Sequence, residues 1–385
     1  MKNDVSHVKN GVINMNRTNI KKKAAVLAAL SIFSFSGSFA LYAPPQAEAG
    51  LLDIGDVLSS GIQIAQARAT LQKYIKALDT TPEGQQFILE NMQSNAGVYD
   101  DPVLMEQLGN IMSNMTNAIG QVDKSVYDLP YVYFLTPSEY FNAACSMGHV
   151  MMVNQGTFAF TPSEDELAVV IGHEMGHGQA HHVAKSNVHN VDRALLAQIG
   201  SAALGGTELT NILAANAYKY STVHANKGDE KEADALAWEY ITHSNYNPGA
   251  CAAIWQRALE KLGDNAQSGA DLWLNPSDHP NNMARRDRYE KKLQEYSGKH
   301  VSVKDGLVKV NGKTFVTPAP AGGMSTAERA YFVEGNLAAA YHNGHNKSAA
   351  RVEGNTVMLG VQPIMTCVSG DESAQTLVDR LNKIK

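Results

Sequence analysis

His173 and His177 are the feature that most constrains this chain of 385 residues, because they stand four residues apart in the sequence His-Glu-Met-Gly-His. Residues four apart project from the same face of an α-helix, so both imidazoles can reach one cation. Glu174 follows the first histidine and can hold a water at the same metal. In such an HExxH motif the carboxylate takes a proton from a water that zinc activates. The spacing therefore predicts a helix that carries a metal site.

The residues before this motif predict where its helix begins. Ser163 and Glu166 form a capping-box pattern, in which the serine caps the helix and the glutamate is its third helical residue. An apolar stripe that would bury one face of the helix follows at Leu167, Val170 and Ile171. Gly176 and Gly178 lower helix propensity and therefore predict close packing near the motif. The alternative is a helix on which both histidines are merely solvated.

A hydrolytic zinc site needs a third protein ligand and an open fourth position. The best donors lie in segment 229–238, which has high helix propensity. Glu230 and Asp234 are four residues apart and therefore share a helical face. One of these carboxylates can bind the metal, while the other accepts the N–H of a ligating imidazole. Ala233 is small enough to let two helices pack closely, and Glu232 is expected on the solvated face.

Other histidines fit a catalytic zinc site less well. The extended motif with a third histidine requires Gly and His where this chain has Ala180 and Val183. His181 and His182 would over-fill a site that must keep one position open. We therefore expect this pair to lie behind the ligands or on the surface.

The sequence HEMGH at 173–177 followed by EKEAD at 230–234 resembles the HExxH…ExxAD signature of the HtpX-like and CAAX-prenyl-protease-like zinc metallopeptidases, a gluzincin group. The resemblance extends from about Val98 to Arg285, about half of the chain. It implies one zinc ion per chain and assigns roles to five residues. The ligands would be His173, His177 and Glu230, the general base Glu174, and the carboxylate behind the ligands Asp234.

An edge strand is part of the same resemblance. Asn142-Ala143 and the segment 148–156 resemble the family's active-site edge strand and the hairpin that leads to the zinc helix. A protease can hold a peptide extended by pairing it with an exposed strand. Asn142 and Ala143 are therefore candidate substrate-binding residues, and an ordinary strand of the core is the alternative.

His279 is a second candidate catalytic residue. Segment 277–280 with Arg285 resembles the family's downstream S-x-HP…R element. His279 could donate a hydrogen bond to the tetrahedral oxyanion, or it could occupy the fourth zinc position and block the enzyme. A histidine in a plain turn before Pro280 is a third interpretation. Arg285 either tethers this element to the carboxylates behind the ligands or forms a surface ion pair.

The amino-terminal segment predicts export. Six basic residues within 1–23 stand against Asp4 alone, and an apolar run extends from Ala24 to Ala43. Pro44-Pro45 ends this run, and Ala47-Glu48-Ala49 offers a signal-peptidase pattern. We therefore interpret residues 1–49 as a secretory signal peptide, which places the mature chain in the periplasm or outside the cell. The alternative is an uncleaved membrane anchor, since the run is nearly long enough to span a bilayer.

The balance of charge argues against nucleic acid as a partner. The chain has 32 basic and 38 acidic residues, a net charge of −6. Residues 1–49 hold six of the basic and two of the acidic residues, so 26 basic and 36 acidic residues remain, a net charge of −10. Surfaces that bind nucleic acid are basic instead.

The sequence pattern changes near residue 297. Alternating runs at 301–304, 307–310 and 314–316 are separated by Asp305-Gly306 and Asn311-Gly312, which are typical two-residue hairpin turns. They predict a three-stranded meander, followed by a helix that Ser325 and Glu328 cap. Short strands near 356–359 and 364–367 and a helix from about residue 372 complete the prediction. Residues 297–385 are either an accessory domain that binds or positions a partner, or an extension that stabilises the core.

Together these patterns predict an α+β fold. Residues 50–296 would form a mainly helical zincin-type metalloprotease core with a small active-site sheet, and residues 297–385 a small C-terminal α+β domain. The predicted function is a zinc endopeptidase that hydrolyses polypeptides with Glu174 as general base. Family analogy suggests unfolded or envelope proteins as substrates in protein quality control, with contact to a membrane surface or envelope component. The alternative is a non-proteolytic envelope binding protein with a structural or capped zinc site.

Overall fold

A computed structural model of the protein describes residues 61–200, 227–263 and 282–385. The predicted signal peptide, residues 1–49, lies outside the described residues, and so does His279. Both stay predictions.

The described residues form helices and short strands in a mixed order. The helices are α1 (Gly61–Thr80), α2 (Pro82–Ala96), α3 (Pro102–Val122), α4 (Gln155–Phe160), α5 (Glu164–Gln179), α6 (His182–Gly200), α7 (Lys227–Thr242), α8 (Ala250–Leu262), α9 (Asn282–Tyr296), α10 (Thr326–His342) and α11 (Ala374–Ile384). The strands are β1 (Val132–Thr136), β2 (Ala143–Cys145), β3 (Val150–Asn154), β4 (Val301–Lys304), β5 (Leu307–Val310), β6 (Lys313–Val316), β7 (Ala350–Glu353), β8 (Thr356–Leu359) and β9 (Gln362–Thr366). Short 3₁₀ turns lie at Lys124–Tyr127, Met147–His149 and His345–Lys347.

These elements belong to two compact units. Within the described residues, the smaller unit comprises 61–72 and 189–200, where Arg68 forms a bidentate ion pair with Asp192 at 2.6 Å. The larger unit comprises 73–188, 227–263 and 282–385. It contains every candidate site residue that the structure describes.

A small sheet lies directly before the helix of the HExxH motif. Its strand order is β1-β3-β2, with β1 parallel and β2 antiparallel to β3. The predicted hairpin is therefore present, and β2 forms one edge of the sheet. The chain leaves β3 through the short helix α4 and enters α5.

Helix α5 begins where the sequence predicts. Ser163 is its N-cap, and the side chain of this serine accepts a hydrogen bond from the Glu166 backbone N–H at 3.1 Å. Three acidic residues in the first turn complement the positive end of the helix dipole. The apolar stripe is at most 1% exposed, and it comprises Leu167, Val170 and Ile171. The predicted cap and buried face are confirmed.

The C-terminal part contains the predicted meander. β4, β5 and β6 pair antiparallel in order. All four turn residues have positive φ, between 51° and 76°, as type I′ turns require: Asp305, Gly306, Asn311 and Gly312. Ser325 and Glu328 form a complete capping box at α10. The sequence prediction missed β7, although its residues alternate and a Gly-Asn turn follows them.

Within the described residues, helices predominate and the strands form three small sheets, so the predicted α+β class is confirmed. Residues on both sides of position 297, for example Trp255 and Leu337, belong to one buried apolar cluster. The division into domains 50–296 and 297–385 stays a prediction. None of the helices in the described part of the chain is both long and apolar enough to cross a bilayer.

Candidate active site

Donor atoms from two helices converge on one point. The Nε2 atoms of His173 and His177 on α5 lie 3.1 Å apart. Glu230 on α7 places one carboxylate oxygen 3.3 Å from His173 Nε2 and the other 3.2 Å from His177 Nε2. All three side chains are buried. The structure thus brings together the three predicted ligands in a group that could hold a metal ion.

Close packing of α5 on α7 produces this convergence. A Cβ atom added at Gly176 would lie 3.2 Å from the carbonyl oxygen of Ala233 and 3.3 Å from the Cα of Ala233. On another face of α5, a Cβ at Gly178 would lie 2.6 Å from the hydroxyl of Tyr131. The close packing that was predicted from Gly176, Gly178 and Ala233 is confirmed.

Asp234 lies behind His173. Its Oδ1 is 3.2 Å from His173 Nδ1, so the ring faces Asp234 with one nitrogen and Glu230 with the other. Burial by itself lowers the pKa of His173, but hydrogen bonds to Asp234 and Glu230 outweigh burial and raise it to about 9. The two carboxylates therefore favour a positive charge here, whether as a proton or as a metal cation.

Helix α9 holds Asp234 in place. Arg285 Nε donates to its Oδ2 at 3.1 Å, Arg288 Nη1 donates to the same oxygen at 3.0 Å, and the Tyr289 hydroxyl donates to Oδ1 at 3.2 Å. Arg285 is 1% exposed and lies 3.5 Å over the Trp255 ring, so it is not a surface ion pair. Burial raises the pKa of Asp234, but the charges of Arg285 and His173 and their hydrogen bonds together outweigh burial and hold it below its ordinary value. Asp234 is thus kept as an acceptor for His173.

Glu174 contacts the edge strand. The backbone N–H of Cys145 on β2 donates to Glu174 Oε2 at 3.0 Å. Sequence analysis missed this contact because a backbone donor leaves no residue-type signal. The thiol of Cys145 takes no part in it.

The two candidate substrate-strand residues differ in their backbone contacts. The Asn142 carbonyl accepts from the Asn154 N–H at 2.9 Å and from the Thr157 hydroxyl at 2.7 Å. Its N–H donates to Thr157 Oγ1 at 3.1 Å. Because backbone direction alternates along a strand, Ala143 and Cys145 point their N–H and C=O groups away from β3. Ala143 therefore belongs to the outer edge of β2, the side away from β3, although the residue is 1% exposed. Asn142 anchors the start of the strand.

The histidine pair after the motif divides between two environments. His182 is buried with its Nδ1 2.9 Å from His177 Nδ1. His181 is partly exposed and its Nδ1 lies 2.7 Å from Asp79 Oδ2. His182 thus lies behind a predicted ligand, which is one of the two positions that the sequence predicts for this pair. His181 contacts Asp79 instead.

The chain is similar in sequence to known peptidases. The sequence model of Peptidase family M48 matches residues 104–353. Beta-barrel assembly-enhancing protease of Escherichia coli (strain K12) is 23% identical over 254 residues, which are 63% of this chain and 46% of that protein. The protein of the same name in Yersinia pestis is 23% identical over 191 residues, which are 47% of this chain and 37% of that protein. Mitochondrial metalloendopeptidase OMA1 of Arabidopsis thaliana is 30% identical over 125 residues, 32% of this chain and 25% of that protein.

The match therefore spans less than half the length of these curated relatives. The family match itself covers more than half of the chain and includes α5, α7 and α9. It confirms the kind of metallopeptidase that the HExxH…ExxAD pattern predicts. The chain belongs to peptidase family M48.

Proposed function

We propose that this protein is a zinc-dependent endopeptidase that hydrolyses peptide bonds in polypeptides. The observation that carries the proposal is the convergence of His173, His177 and Glu230 on α5 and α7, with Glu174 on the same helical turn as the histidines. Membership of a peptidase family supports the same reaction.

The spacing of the donor atoms suits a tetrahedral ion. Ligands about 2.0–2.1 Å from a tetrahedral zinc are about 3.3 Å from one another. The two Nε2 atoms are 3.1 Å apart, close to this value, and each of them lies 3.2 or 3.3 Å from a different oxygen of Glu230. Two imidazoles and one carboxylate leave a fourth position for the reacting water. Other divalent cations accept the same donors, so the choice of zinc rests on the family as well.

Glu174 is proposed as the general base. A bound zinc ion would supply Lewis acidity to the reacting water and the scissile carbonyl. The Glu174 carboxylate takes the proton of the attacking water and passes it to the leaving amine. Its hydrogen bond from the Cys145 N–H orients this carboxylate toward β2.

We also propose that the outer edge of β2 binds the substrate backbone. An extended peptide that pairs with Ala143 would be held without regard to its side chains, as a protease of unfolded proteins requires. The Cys145 N–H on the same edge donates a hydrogen bond to Glu174, so the strand that binds the peptide would also hold the general base. Asn142 lies directly before β2, and its two hydrogen bonds with Thr157 position this edge.

His279 is proposed as a second catalytic residue that donates a hydrogen bond to the oxyanion. Occupation of the fourth metal position by the same imidazole is the alternative. The resemblance of segment 277–280 to the S-x-HP…R element supports a role at the site.

The proposed substrates are unfolded or envelope proteins, and the proposed location is the periplasm or the cell exterior. The signal-peptide pattern of residues 1–49 supports export. The relatives in Escherichia coli and Yersinia pestis are named beta-barrel assembly-enhancing protease, which supports an envelope substrate and contact with an envelope component. The acidic balance of the remaining chain argues against nucleic acid.

Cleavage of casein by the purified full chain tests this function, beside Glu174→Gln, with bound zinc quantified in both proteins. We expect cleavage by the wild type alone and about one zinc ion in each, because glutamine cannot accept the proton but leaves the ligands intact. Undiminished cleavage by Glu174→Gln would show that Glu174 is not the base.

Zinc without cleavage would favour the alternative function, a non-proteolytic envelope protein with a structural or capped zinc site. His279→Ala would then decide between the two. Cleavage that appears in His279→Ala would identify a capped enzyme, and continued inactivity would identify a structural site.

A further inference from the structure

His182 occupies the position behind His177 that Asp234 occupies behind His173. It is the first residue of α6 and is 2% exposed. Its Nδ1 lies 2.9 Å from His177 Nδ1, and the two rings are nearly perpendicular with centroids 4.9 Å apart. Each of the two proposed ligand imidazoles therefore has its outer nitrogen in contact with a buried side chain.

The proposed metal site fixes the direction of this hydrogen bond. A neutral imidazole carries one proton, and a histidine that binds a metal through Nε2 carries it on Nδ1. His177 must then donate from Nδ1, and His182 Nδ1 must accept. The proton of His182 is therefore on Nε2.

The surroundings of His182 suit this tautomer. Its Nε2 lies 3.3 Å from Glu232 Oε2 and 3.9 Å from Asp229 Oδ1, both in the first turns of α7. A carboxylate has acceptor oxygens and no donor, so either of these two side chains can accept the N–H of His182. A continuous chain of hydrogen bonds then runs from His177 through His182 to Glu232.

A second metal site is the competing interpretation, because His182, Asp229 and Glu232 form another group of donors close enough to share a cation. A cation bound to His182 Nε2 would force the proton of this ring onto Nδ1. Two N–H groups would then face each other across the 2.9 Å between His182 and His177. Occupation of this second group and of the proposed catalytic site is therefore mutually unfavourable, which favours the hydrogen-bonded chain.

We propose that His182 is a positioning residue, which accepts the Nδ1–H of His177 and so fixes the tautomer and orientation of that ligand. This inference rests on the proposed zinc site. Residues that hold a ligating histidine in this way typically change metal affinity by about 10–100-fold when they are replaced.

Two substitutions of similar polarity separate this role from a general structural one. His182→Asn places an amide oxygen where Nδ1 stands and can still accept from His177. His182→Gln places its amide near the position of Nε2 and loses the acceptor. The zinc dissociation constant of each full-chain variant would be measured by competition with a chelator, together with the visible spectrum of the cobalt-substituted protein and thermal unfolding without metal.

We expect His182→Asn to stay close to wild type in zinc affinity and in the cobalt spectrum, and His182→Gln to bind zinc about 10–100-fold more weakly. Equal zinc affinities in the two variants would overturn the proposal. Equal losses of zinc affinity in the two variants, accompanied by equal losses of thermal stability, would also overturn the proposal, because they would indicate a structural role.

Glu232→Ala provides a test that does not disturb the core, since this side chain is mostly exposed. We expect Glu232→Ala to bind zinc more weakly than the wild type does, but with a smaller loss than His182→Gln shows. Glu239→Ala, at an exposed position of the same helix, is the control and should not change zinc binding. Two zinc ions per wild-type chain, with one lost in Glu232→Ala, would establish the second metal site and overturn the proposal.

Different results would contradict the positioning role of His182 and the proposed peptidase function. A wild-type chain that binds no zinc would overturn both. A chain that shows the expected contrast between Asn and Gln at position 182 but cleaves no protein would contradict the peptidase function and leave the positioning role standing.

Discussion

At the scale of single residues, Asp234 shows how a buried carboxylate can support the proposed metal site. It is 1% exposed and contacts His173 on one side and Arg285, Arg288 and Tyr289 on the other. An isolated charge would be strongly destabilised at such a position, but two guanidinium groups and a hydroxyl compensate for it. The result is an acceptor of fixed direction behind one ligand.

Asp234→Asn is expected to weaken zinc binding about 10–100-fold, because an amide is a poorer acceptor for His173. It should also lower the free energy of unfolding by about 3–5 kcal/mol, because Arg285 stays buried beside a neutral group. Chelator competition and urea unfolding measure the two effects. Asp287→Asn, at an exposed position of α9, the helix that carries Arg285, is the control. Unchanged zinc affinity would contradict the assigned role.

At the scale of secondary-structure elements, the contact between α5 and α7 determines whether the ligands meet. Gly176 and Ala233 lie where the two helices are in close contact, and Ala233 is fully buried. Separation of these helices would move Glu230 away from both histidines. The site therefore depends on small residues that have no chemistry of their own.

Ala233→Leu is expected to destabilise the protein by about 1–3 kcal/mol through overpacking. Because the helices must separate to admit the larger side chain, zinc binding should weaken more than stability alone would explain. Zinc affinity and urea unfolding of the metal-free protein test this expectation. Ala235→Leu, at an exposed position of α7, should change neither. Wild-type zinc affinity in Ala233→Leu would show that the contact does not set the ligand geometry.

A buried ion cluster joins the start of α5 to the start of α10. Arg257 on α8 lies 3.3 Å from Glu166 and 2.9 Å from Glu328, and all three side chains are at most 5% exposed. Both glutamates are the third residue of their helices. Burial raises the pKa of Glu166 to about 7, although Arg257 opposes this, and burial also raises the pKa of Glu328.

Arg257→Met is expected to destabilise the protein by about 3–5 kcal/mol at pH 8, because two buried carboxylates lose their counter-charge. At pH 5.5 the loss should be smaller, since groups with raised pKa values take up protons and become neutral. Urea unfolding at the two pH values measures the difference, with Lys261→Met at an exposed position of α8 as control. An equal loss at both pH values would contradict the assignment.

At the scale of the whole molecule, buried carboxyl groups determine how stability depends on pH. Glu334 on α10 is fully buried, and burial raises its pKa well above the ordinary value. A raised pKa means that the folded state binds a proton more tightly than the unfolded state. Stability from such a group is therefore largest at low pH and decreases as pH rises above the unfolded pKa toward the folded one.

Glu334→Gln is expected to raise the melting temperature at pH 8 and to reduce its decrease between pH 5 and pH 8, because the amide resembles the neutral acid. Each 1 kcal/mol corresponds to about 1–2 °C in a protein of this size, because the entropy of unfolding grows with chain length. Thermal unfolding of wild type and variant across this range is the measurement, and Glu353→Gln on the surface is the control. A variant that melts lower than wild type at pH 8 would contradict the expectation.

Local patterns predicted those parts of the fold that depend on neighbouring residues. The Ser163 cap, the buried stripe of α5 and the Asp-Gly and Asn-Gly turns near residues 305 and 311 all follow from short-range backbone and side-chain preferences. The missed strand β7 had the same kind of signal, an alternation followed by a turn, but it is only four residues long. Periodicity over so short a segment is weak.

The sequence by itself determined that His173 and His177 can reach one cation, because the helical repeat places residues four apart on one face. The packing of α5 on α7 decided that the carboxylate of Glu230 lies beside both imidazoles. The tertiary structure decided which groups face the outer nitrogens of the histidines. His182 and Glu232 are 50 residues apart, and Asp234 and Arg285 are 51 residues apart. Contacts over such distances depend on how complete helices pack against one another, which no local pattern encodes.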